Sequence, residues 1–185
     1  RTVKNVFVPI TVGGGIRSLK DAKSLLKCGA DKIAVNTAAV KKPDLINEIA
    51  NELGNQCFVL SIEAKNTKKN YWEVYIENGR QPTGISVQDW VLQTSKRGVG
   101  EILLTSIDNE GTGKGFDYNL LEMVTNSVNI PIIASGGMGS LSHFKQLCNK
   151  INIDAIAMAN IIHYNKFSIS EIKKFAVREN IKIRK

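Results

Sequence analysis

Two glycine-rich segments contain the residue types in this sequence that are best suited to binding phosphate. Gly13-Gly14-Gly15 and Gly136-Gly137 each follow a short run of β-branched residues, and a helix-like stretch begins a few residues later. Glycine lets backbone N–H groups approach an anion closely, and the dipole of the following helix attracts negative charge. The alternative interpretation is that these glycines only make tight turns between strand and helix.

Small and polar residues at neighbouring strand ends complete two predicted phosphate cradles. The first cradle combines Gly14 and Gly15 with Asn36 and Thr37. The second combines Gly136 and Gly137 with Gly111, Thr112, Ala159 and Asn160. Two phosphate sites on opposite sides of one cleft predict an elongated ligand with a phosphate at each end.

Acidic residues at two further strand ends are candidates for proton transfer. Glu63 ends one β-branched run, and Asp108 follows another, with Glu110 two residues later. A carboxyl group in a partly desolvated cleft can take up and release protons during a reaction. We therefore predict Glu63 and Asp108 as catalytic residues. The alternative for Glu63 is a structural pair with a lysine that only fixes the loop.

The elements that must position these residues alternate regularly along the chain. Predicted strands cover residues 7–12, 32–35, 58–64, 101–107, 130–135 and 154–158. Amphipathic helical stretches begin at residue 19 and cover residues 43–53, 87–97, 118–127, 142–149 and 170–179. Six strand–helix units with apolar strands predict a parallel sheet covered by helices. Such a sheet is either an open doubly wound sheet or a closed (β/α)8 barrel, and no G-x-G-x-x-G dinucleotide fingerprint is present.

An internal repeat favours the barrel. Residues 12–19 (VGGGIRSL) are similar to residues 134–141 (ASGGMGSL), and each copy is followed by a strand that begins with aspartate, Asp31 or Asp154. This repeat predicts a (β/α)8 TIM barrel of two pseudo-symmetric halves, in which the six units correspond to barrel strands 3 to 8. The chain enters its first strand almost immediately. We therefore expect a single barrel domain, residues 1–185, that lacks barrel strands 1 and 2.

Composition restricts the partners of this fold. The chain is 43% apolar and 23% charged, with 25 Lys and Arg against 17 Asp and Glu, for a net charge of +8. The basic residues are scattered, which favours a phosphorylated small ligand over nucleic acid. Apolar runs are too short to span a membrane. Cys28, Cys57 and Cys148 are far apart, which is typical of reduced thiols in a cytoplasmic protein. Neither a metal site nor a cofactor is predicted.

One connection is unusually long for a loop between a strand and a helix. Residues 65–84 contain a hairpin-like segment with a strong turn signal at Asn78-Gly79. A structured loop at the catalytic rim is typical of a lid or of an element that senses a partner.

Five segments resemble the cyclase subunit family of imidazole glycerol phosphate synthase, a histidine-biosynthesis barrel. They are residues 11–17 (TVGGGIR), 29–32 (GADK), 35–40 (VNTAAV), 100–108 (GEILLTSID) and 133–137 (IASGG). The resemblance implies a cytoplasmic lyase that needs no cofactor and receives ammonia from a glutaminase subunit docked at the N-terminal face of the barrel. Its bisphosphorylated substrate is a phosphoribulosyl formimino carboxamide nucleotide. The products are imidazole glycerol phosphate and aminoimidazole carboxamide ribonucleotide.

Family roles transfer to matching positions of this sequence. The resemblance places one phosphate on Gly15, Asn36 and Thr37 and the other on Gly111, Gly137, Ala159 and Asn160, where the family typically has serine in place of Asn160. It places the ammonia gate and partner interface at Asp31, Lys32 and Glu101.

The catalytic pair of the family departs from this sequence. The family uses two aspartates, of which the first lies on barrel strand 1 and the second corresponds to Glu63. Glu63 is also compatible with a paralogous class that passes ammonia to a sugar amidotransferase in surface polysaccharide or flagellin glycan biosynthesis. That class is the alternative function.

Overall fold

The computed structural model describes residues 2–184, which alternate between strands and helices. The strands are β1 (Thr11–Gly13), β2 (Lys32–Val35), β3 (Phe58–Lys68), β4 (Tyr71–Ile76), β5 (Gln81–Ser86), β6 (Glu101–Ser106), β7 (Ile132–Ser135) and β8 (Ala155–Ala157). The α-helices are α1 (Leu19–Lys27), α2 (Thr37–Lys41), α3 (Asp44–Leu53), α4 (Val87–Ser95), α5 (Tyr118–Ser127), α6 (Leu141–Lys150), α7 (Asn160–His163) and α8 (Ile169–Arg178). Short 3₁₀ turns cover Thr2–Asn5 and Asn55–Cys57.

Six of the strands form a parallel sheet in the order β1-β2-β3-β6-β7-β8. Because neighbouring strands are parallel and joined through helices, their C-terminal ends meet at one edge, where the loops of a barrel carry its site. The predicted α/β class with a TIM-barrel-like sheet is confirmed. Within residues 2–184, β1 and β8 each pair on one side only, and two further strands between them stay a prediction.

The core lies between the sheet and its helices. Along β3, Ile62 and Ala64 are fully buried on the helix side, whereas Ser61 and Glu63 lie on the opposite, inner face and are only partly buried. The helices bury their apolar sides against this layer, with Trp90 of α4 among the largest buried side chains. Burying one such large apolar side chain stabilises the fold by about 1.5–3 kcal/mol. The apolar residues of β3 thus pack against the helices, and its polar residues Ser61 and Glu63 lie on the inner face.

The internal repeat is confirmed by matching hydrogen bonds at two helix starts. The Ser18 Oγ accepts a hydrogen bond from the Asp21 N–H at 3.2 Å and caps α1. The Ser140 Oγ accepts from the His143 N–H at 3.3 Å and caps α6 in the same backbone conformation. Helices α1 and α6 therefore begin at equivalent positions of the repeat.

The two aspartates that lead strands also have matching contacts. One carboxylate oxygen of Asp31 accepts from the Ile10 N–H at 2.8 Å, and one of Asp154 accepts from the Ile132 N–H at 2.9 Å. Each aspartate thereby joins its strand to the preceding one. This contact explains why both copies of the repeat carry aspartate at this position.

Removing the second helix cap tests this symmetry. We expect Ser140→Ala and Ser18→Ala each to lower the free energy of unfolding by about 1 kcal/mol, because each leaves a backbone N–H at a helix start without its acceptor. Urea denaturation followed by circular dichroism measures both changes. Ser170→Ala, at an exposed position in α8, is the control and should change the free energy little. Strongly unequal losses for the two caps would contradict their equivalence.

Two boundaries differ from the sequence prediction for identifiable reasons. The first strand begins at Thr11 and not at residue 7, because Phe7 and Val8 have exposed fractions of 97% and 67% and do not join the sheet. Strand β3 continues to Lys68 because its second half pairs with β4. The predicted hairpin is confirmed as β4 and β5, with its turn at residues 77–80.

Candidate active site

Two cavities open at the C-terminal ends of the parallel strands, and they coincide with the two predicted cradles. The first has a volume of about 900 Å³, and its lining includes Gly14, Gly15, Asn36, Thr37 and Glu63. The second has a volume of about 170 Å³, and its lining includes Gly111, Gly136, Gly137, Ala159 and Asn160. Ten of the residues predicted from sequence thus form two groups at one edge of the sheet.

The glycines of the first cradle provide conformation and access. Gly14 and Gly15 have φ angles of +96° and +72°, a region that disfavours other residues, and a Cβ at either position would meet nothing within 4 Å. The backbone is therefore open to the cavity here. Helix α2 follows β2 directly, with Asn36 at its N-cap. First-turn N–H groups of a helix have no partner within it.

Glu63 is held in a defined orientation at the floor of the first cavity. Its Oε2 accepts hydrogen bonds from the Asn36 Nδ2 at 2.8 Å and from the Gly79 N–H at 2.9 Å. Asn36 Nδ2 also donates to the Tyr75 carbonyl at 3.1 Å. Both donors to Glu63 are neutral amides, so these contacts differ from the lysine pair considered in the sequence analysis. The Asn36 side-chain amide thus orients Glu63, while Asn36 is also part of the cavity lining.

The hairpin tip covers one side of the first cavity. The Glu77 N–H donates to the Thr37 Oγ1 at 3.1 Å, and the Glu77 Oε1 lies 2.7 Å from the Lys41 Nζ. The hydrogen bond and charge of Lys41, together with the charge of Arg17, hold the pKa of Glu77 below its ordinary value. The long loop after β3 is therefore part of the site.

The second cradle is built by two loops in direct backbone contact. The Gly115 N–H donates to the Gly137 carbonyl at 2.7 Å, and the Asn109 Nδ2 donates to the Gly115 carbonyl at 2.8 Å. The predicted residue Thr112 is used inside its own loop, where its Oγ1 donates to the Asn109 carbonyl at 2.7 Å and accepts from the Lys114 N–H. Thr112 is not among the residues that line this cavity within the described chain.

Asp108 lies apart from both cavities. Its side chain is exposed, and its Oδ2 accepts a hydrogen bond from the Asn66 N–H at 2.8 Å. This contact joins the loop after β6 to the end of β3. The structure therefore does not bring Asp108 together with Glu63, and the catalytic role of Asp108 stays a prediction.

The remaining predicted residues lie at the opposite, N-terminal end of the strands. Lys32 begins β2 and Glu101 begins β6, and their half-buried side chains form an ion pair across the inner face of β3. Asp31 precedes Lys32 and accepts from the Ile10 N–H, as described above. All three predicted gate and interface residues are thus gathered at one end.

Comparison with known proteins agrees with this geometry. A family model described as "Histidine biosynthesis protein" matches residues 1–168. The imidazole glycerol phosphate synthase subunit HisF of Dictyoglomus thermophilum is 51% identical over 180 residues, which are 97% of this chain and 71% of that protein. The HisF subunit of Dictyoglomus turgidum is 52% identical over the same shares of both chains. The chain belongs to the HisF family.

A third relative is the HisF subunit of Legionella pneumophila. It is 62% identical over 143 residues, which are 77% of this chain and 68% of that protein. The family predicted from the five motifs is thereby confirmed. HisF is the cyclase subunit of imidazole glycerol phosphate synthase in histidine biosynthesis, so the predicted enzyme class is confirmed as well. As a subunit, HisF works with a partner chain.

Several lining residues of this HisF-family site were missed by the sequence analysis. Arg17, Lys41 and Lys42 bring three cations to the first cavity, and Glu77 brings a carboxylate. A signal for Lys41 was present, because it lies four residues after Thr37 and so one helical turn away on the same face. Glu77 had no such signal, because only the folded hairpin places it there.

Between residues 2 and 184, no group of three or more His, Cys, Asp or Glu side chains is arranged to hold a metal ion. In the same part of the chain, no helix is long and apolar enough to cross a membrane. The cytoplasmic location stays a prediction.

Proposed function

We propose that the first cavity is the reaction site of an ammonia-dependent cyclase and that Glu63 transfers protons there. The substrate is the bisphosphorylated phosphoribulosyl formimino carboxamide nucleotide, which ammonia converts to imidazole glycerol phosphate and aminoimidazole carboxamide ribonucleotide. The observation that carries this proposal is the position of the Glu63 carboxylate, which lines the same 900 Å³ cavity as Gly14, Gly15 and Thr37.

The chemistry requires an acid and a base at one place. When ammonia adds to a carbonyl carbon, the nitrogen must lose protons and the carbonyl oxygen leaves as water, and the nitrogen that leaves on ring closure must gain a proton. A fixed carboxylate can accept the first proton and return it to the leaving group. The hydrogen bonds from Asn36 and Gly79 hold Glu63 at one orientation, which supports this role because proton transfer depends on position.

The two cradles would hold the two phosphates of the substrate. Gly15 and Thr37 offer backbone and hydroxyl groups at one side, with Arg17 and Lys41 nearby. Gly137 and Asn160 line the other cavity at the same edge of the sheet. Fixing both ends of an elongated ligand would place its central part beside Glu63 and would reduce the entropy lost on reaching the transition state.

Ammonia would arrive from the opposite end of the strands. The Lys32–Glu101 ion pair lies where β2 and β6 begin, and Asp31 is adjacent. A glutaminase partner docked at this face could release ammonia beside the pair, which would act as a gate. The partner's identity and this docking face are part of the proposal.

A second candidate function follows from Glu63 itself. Its carboxyl extends about one methylene beyond the aspartate typical of the family, and a misplacement of about 1 Å can lower a rate roughly a hundredfold. A chain that had lost the cyclase reaction could still pass ammonia to a separate sugar amidotransferase. This ammonia-channelling role is the alternative.

Turnover with free ammonia distinguishes the two candidates. The purified full-length protein is mixed with the bisphosphorylated nucleotide and an ammonium salt, and imidazole glycerol phosphate is measured by chromatography. We expect product formation that increases with pH as ammonium gives way to ammonia. Substrate binding without product, together with tight binding of a glutaminase, would contradict the cyclase proposal and support the channelling role.

A further inference from the structure

The tip of the β4–β5 hairpin contacts three functional parts of the first cavity at once. Through Glu77 it accepts from the Lys41 ammonium and donates its N–H to the Thr37 hydroxyl. Through Gly79, two residues later, it donates to the Glu63 carboxylate at 2.9 Å. The tip therefore links the predicted phosphate cradle to the proposed catalytic residue.

Glu77 is a negative group on the cationic side of the first cradle. Arg17, Lys41 and Lys42 all line this cavity, and the Glu77 carboxylate lies among them. A phosphate oxygen and a carboxylate oxygen accept the same kind of charge-assisted hydrogen bond from an ammonium group. A phosphate in this cradle and the Glu77 carboxylate would therefore compete for one donor.

Lys41 is distinguished from its neighbour Lys42 by the element that holds it. Lys42 pairs with Glu48 of α3 at 2.7 Å, and Glu48 is not part of the cavity lining in the described chain. Lys41 pairs with the hairpin tip. Its side chain and that of Glu77 have exposed fractions of 58% and 51%, and an ion pair this exposed is weak enough for a phosphate to displace.

We propose that Lys41 is a phosphate-binding side chain and that Glu77 is its internal competitor. Phosphate binding transfers the Lys41 ammonium from Glu77 to the phosphate. The hairpin tip then loses its contact with Lys41 and keeps those with Thr37 and Glu63. Phosphate occupancy is in this way coupled to the mobility of the hairpin tip. The inference rests on the proposed function, because that function assigns phosphate to the first cradle.

Inorganic phosphate is a suitable probe, since site-resolved NMR shifts of the Gly15 and Thr37 amides report the first cradle separately from the second. We expect Glu77→Gln to bind phosphate about threefold more tightly than wild type and Lys41→Gln to bind it several-fold more weakly. In the Lys41→Gln background, Glu77→Gln should have no further effect. Amide hydrogen exchange at residues 77–79 should accelerate when phosphate is added to the wild-type protein.

Glu52→Gln is the matched control. Glu52 forms a similarly exposed ion pair with Lys23 at 2.8 Å, so the substitution removes the same charge away from the cavity. It should leave phosphate affinity unchanged. Equal affinities for Glu77→Gln and Glu52→Gln, with normal binding by wild type, would overturn the competition alone. Failure of phosphate to shift the Gly15 and Thr37 amides of the wild-type protein would instead overturn the phosphate cradle of the proposed function.

Discussion

Replacing Glu63 with glutamine is expected to lower kcat roughly 10²–10⁴-fold while leaving KM nearly unchanged. The glutamine carbonyl oxygen can still accept from the Asn36 Nδ2 and the Gly79 N–H, so the hairpin tip should keep its position. An amide cannot take up and return a proton, which removes the proposed chemistry. The phosphate cradles are unaffected, which is why substrate binding should persist. Steady-state turnover with ammonium salts measures both parameters.

Two further variants make this result specific. Glu122→Gln removes the same charge from an exposed position of α5 and should retain full turnover. Glu63→Asp keeps the carboxylate but withdraws it by about one methylene from its two donors, and should reduce kcat less than glutamine does. Full activity of the Glu63→Gln variant would contradict a proton-transfer role. A large rise in KM with unchanged kcat would indicate a binding role for Glu63.

The order of the elements and the two cradles followed from local patterns in the sequence. Gly14 and Gly136 are followed by serine caps and by strands that begin with aspartate, and these signals span fewer than about 20 residues, within which hydrophobic period and turn chemistry are readable. The structure places the equivalent hydrogen bonds at Ser18 and Ser140. Both the repeat and the grouping of the glycine loops were therefore predictable.

The contacts of individual side chains were not predictable in the same way. Asn36 and Glu63 are 27 residues apart, and the Glu63 carboxylate also accepts a hydrogen bond from Gly79, which lies 16 residues further along the chain in the hairpin turn. Asp108 follows its strand as a catalytic residue would, but the Asn66 N–H holds it at the loop surface. The partner of a carboxylate depends on which backbone N–H groups lie near it in the folded chain. The pattern of residues along a strand does not contain that information.

Of the variants proposed for this protein, Gly137→Ala is expected to lower the free energy of unfolding most. Gly137 has φ +98°, and a Cβ there would lie 1.9 Å from the Gly115 carbonyl oxygen, a backbone atom that no rotamer change can move. Relief requires the two loops to separate, which breaks the 2.7 Å hydrogen bond from the Gly115 N–H to the Gly137 carbonyl. Backbone strain of roughly 1–3 kcal/mol and a lost hydrogen bond of about 1 kcal/mol predict a loss near 3 kcal/mol in the free energy of unfolding.

Gly14→Ala provides a comparison that is matched in φ, whereas the repeat position equivalent to Gly137 is Gly15. Gly14 has nearly the same φ, +96°, but a Cβ there meets nothing within 4 Å. Its expected loss is only the conformational strain, roughly 1–2 kcal/mol. Urea denaturation of both variants gives the two free energies, and phosphate titration should show the second cradle weakened only in Gly137→Ala. Equal losses would contradict the close loop contact, because φ strain alone would then account for both. A larger loss at Gly137 would show that glycines of nearly the same φ serve different purposes in the two glycine-rich loops, open access at one cradle and loop closure at the other.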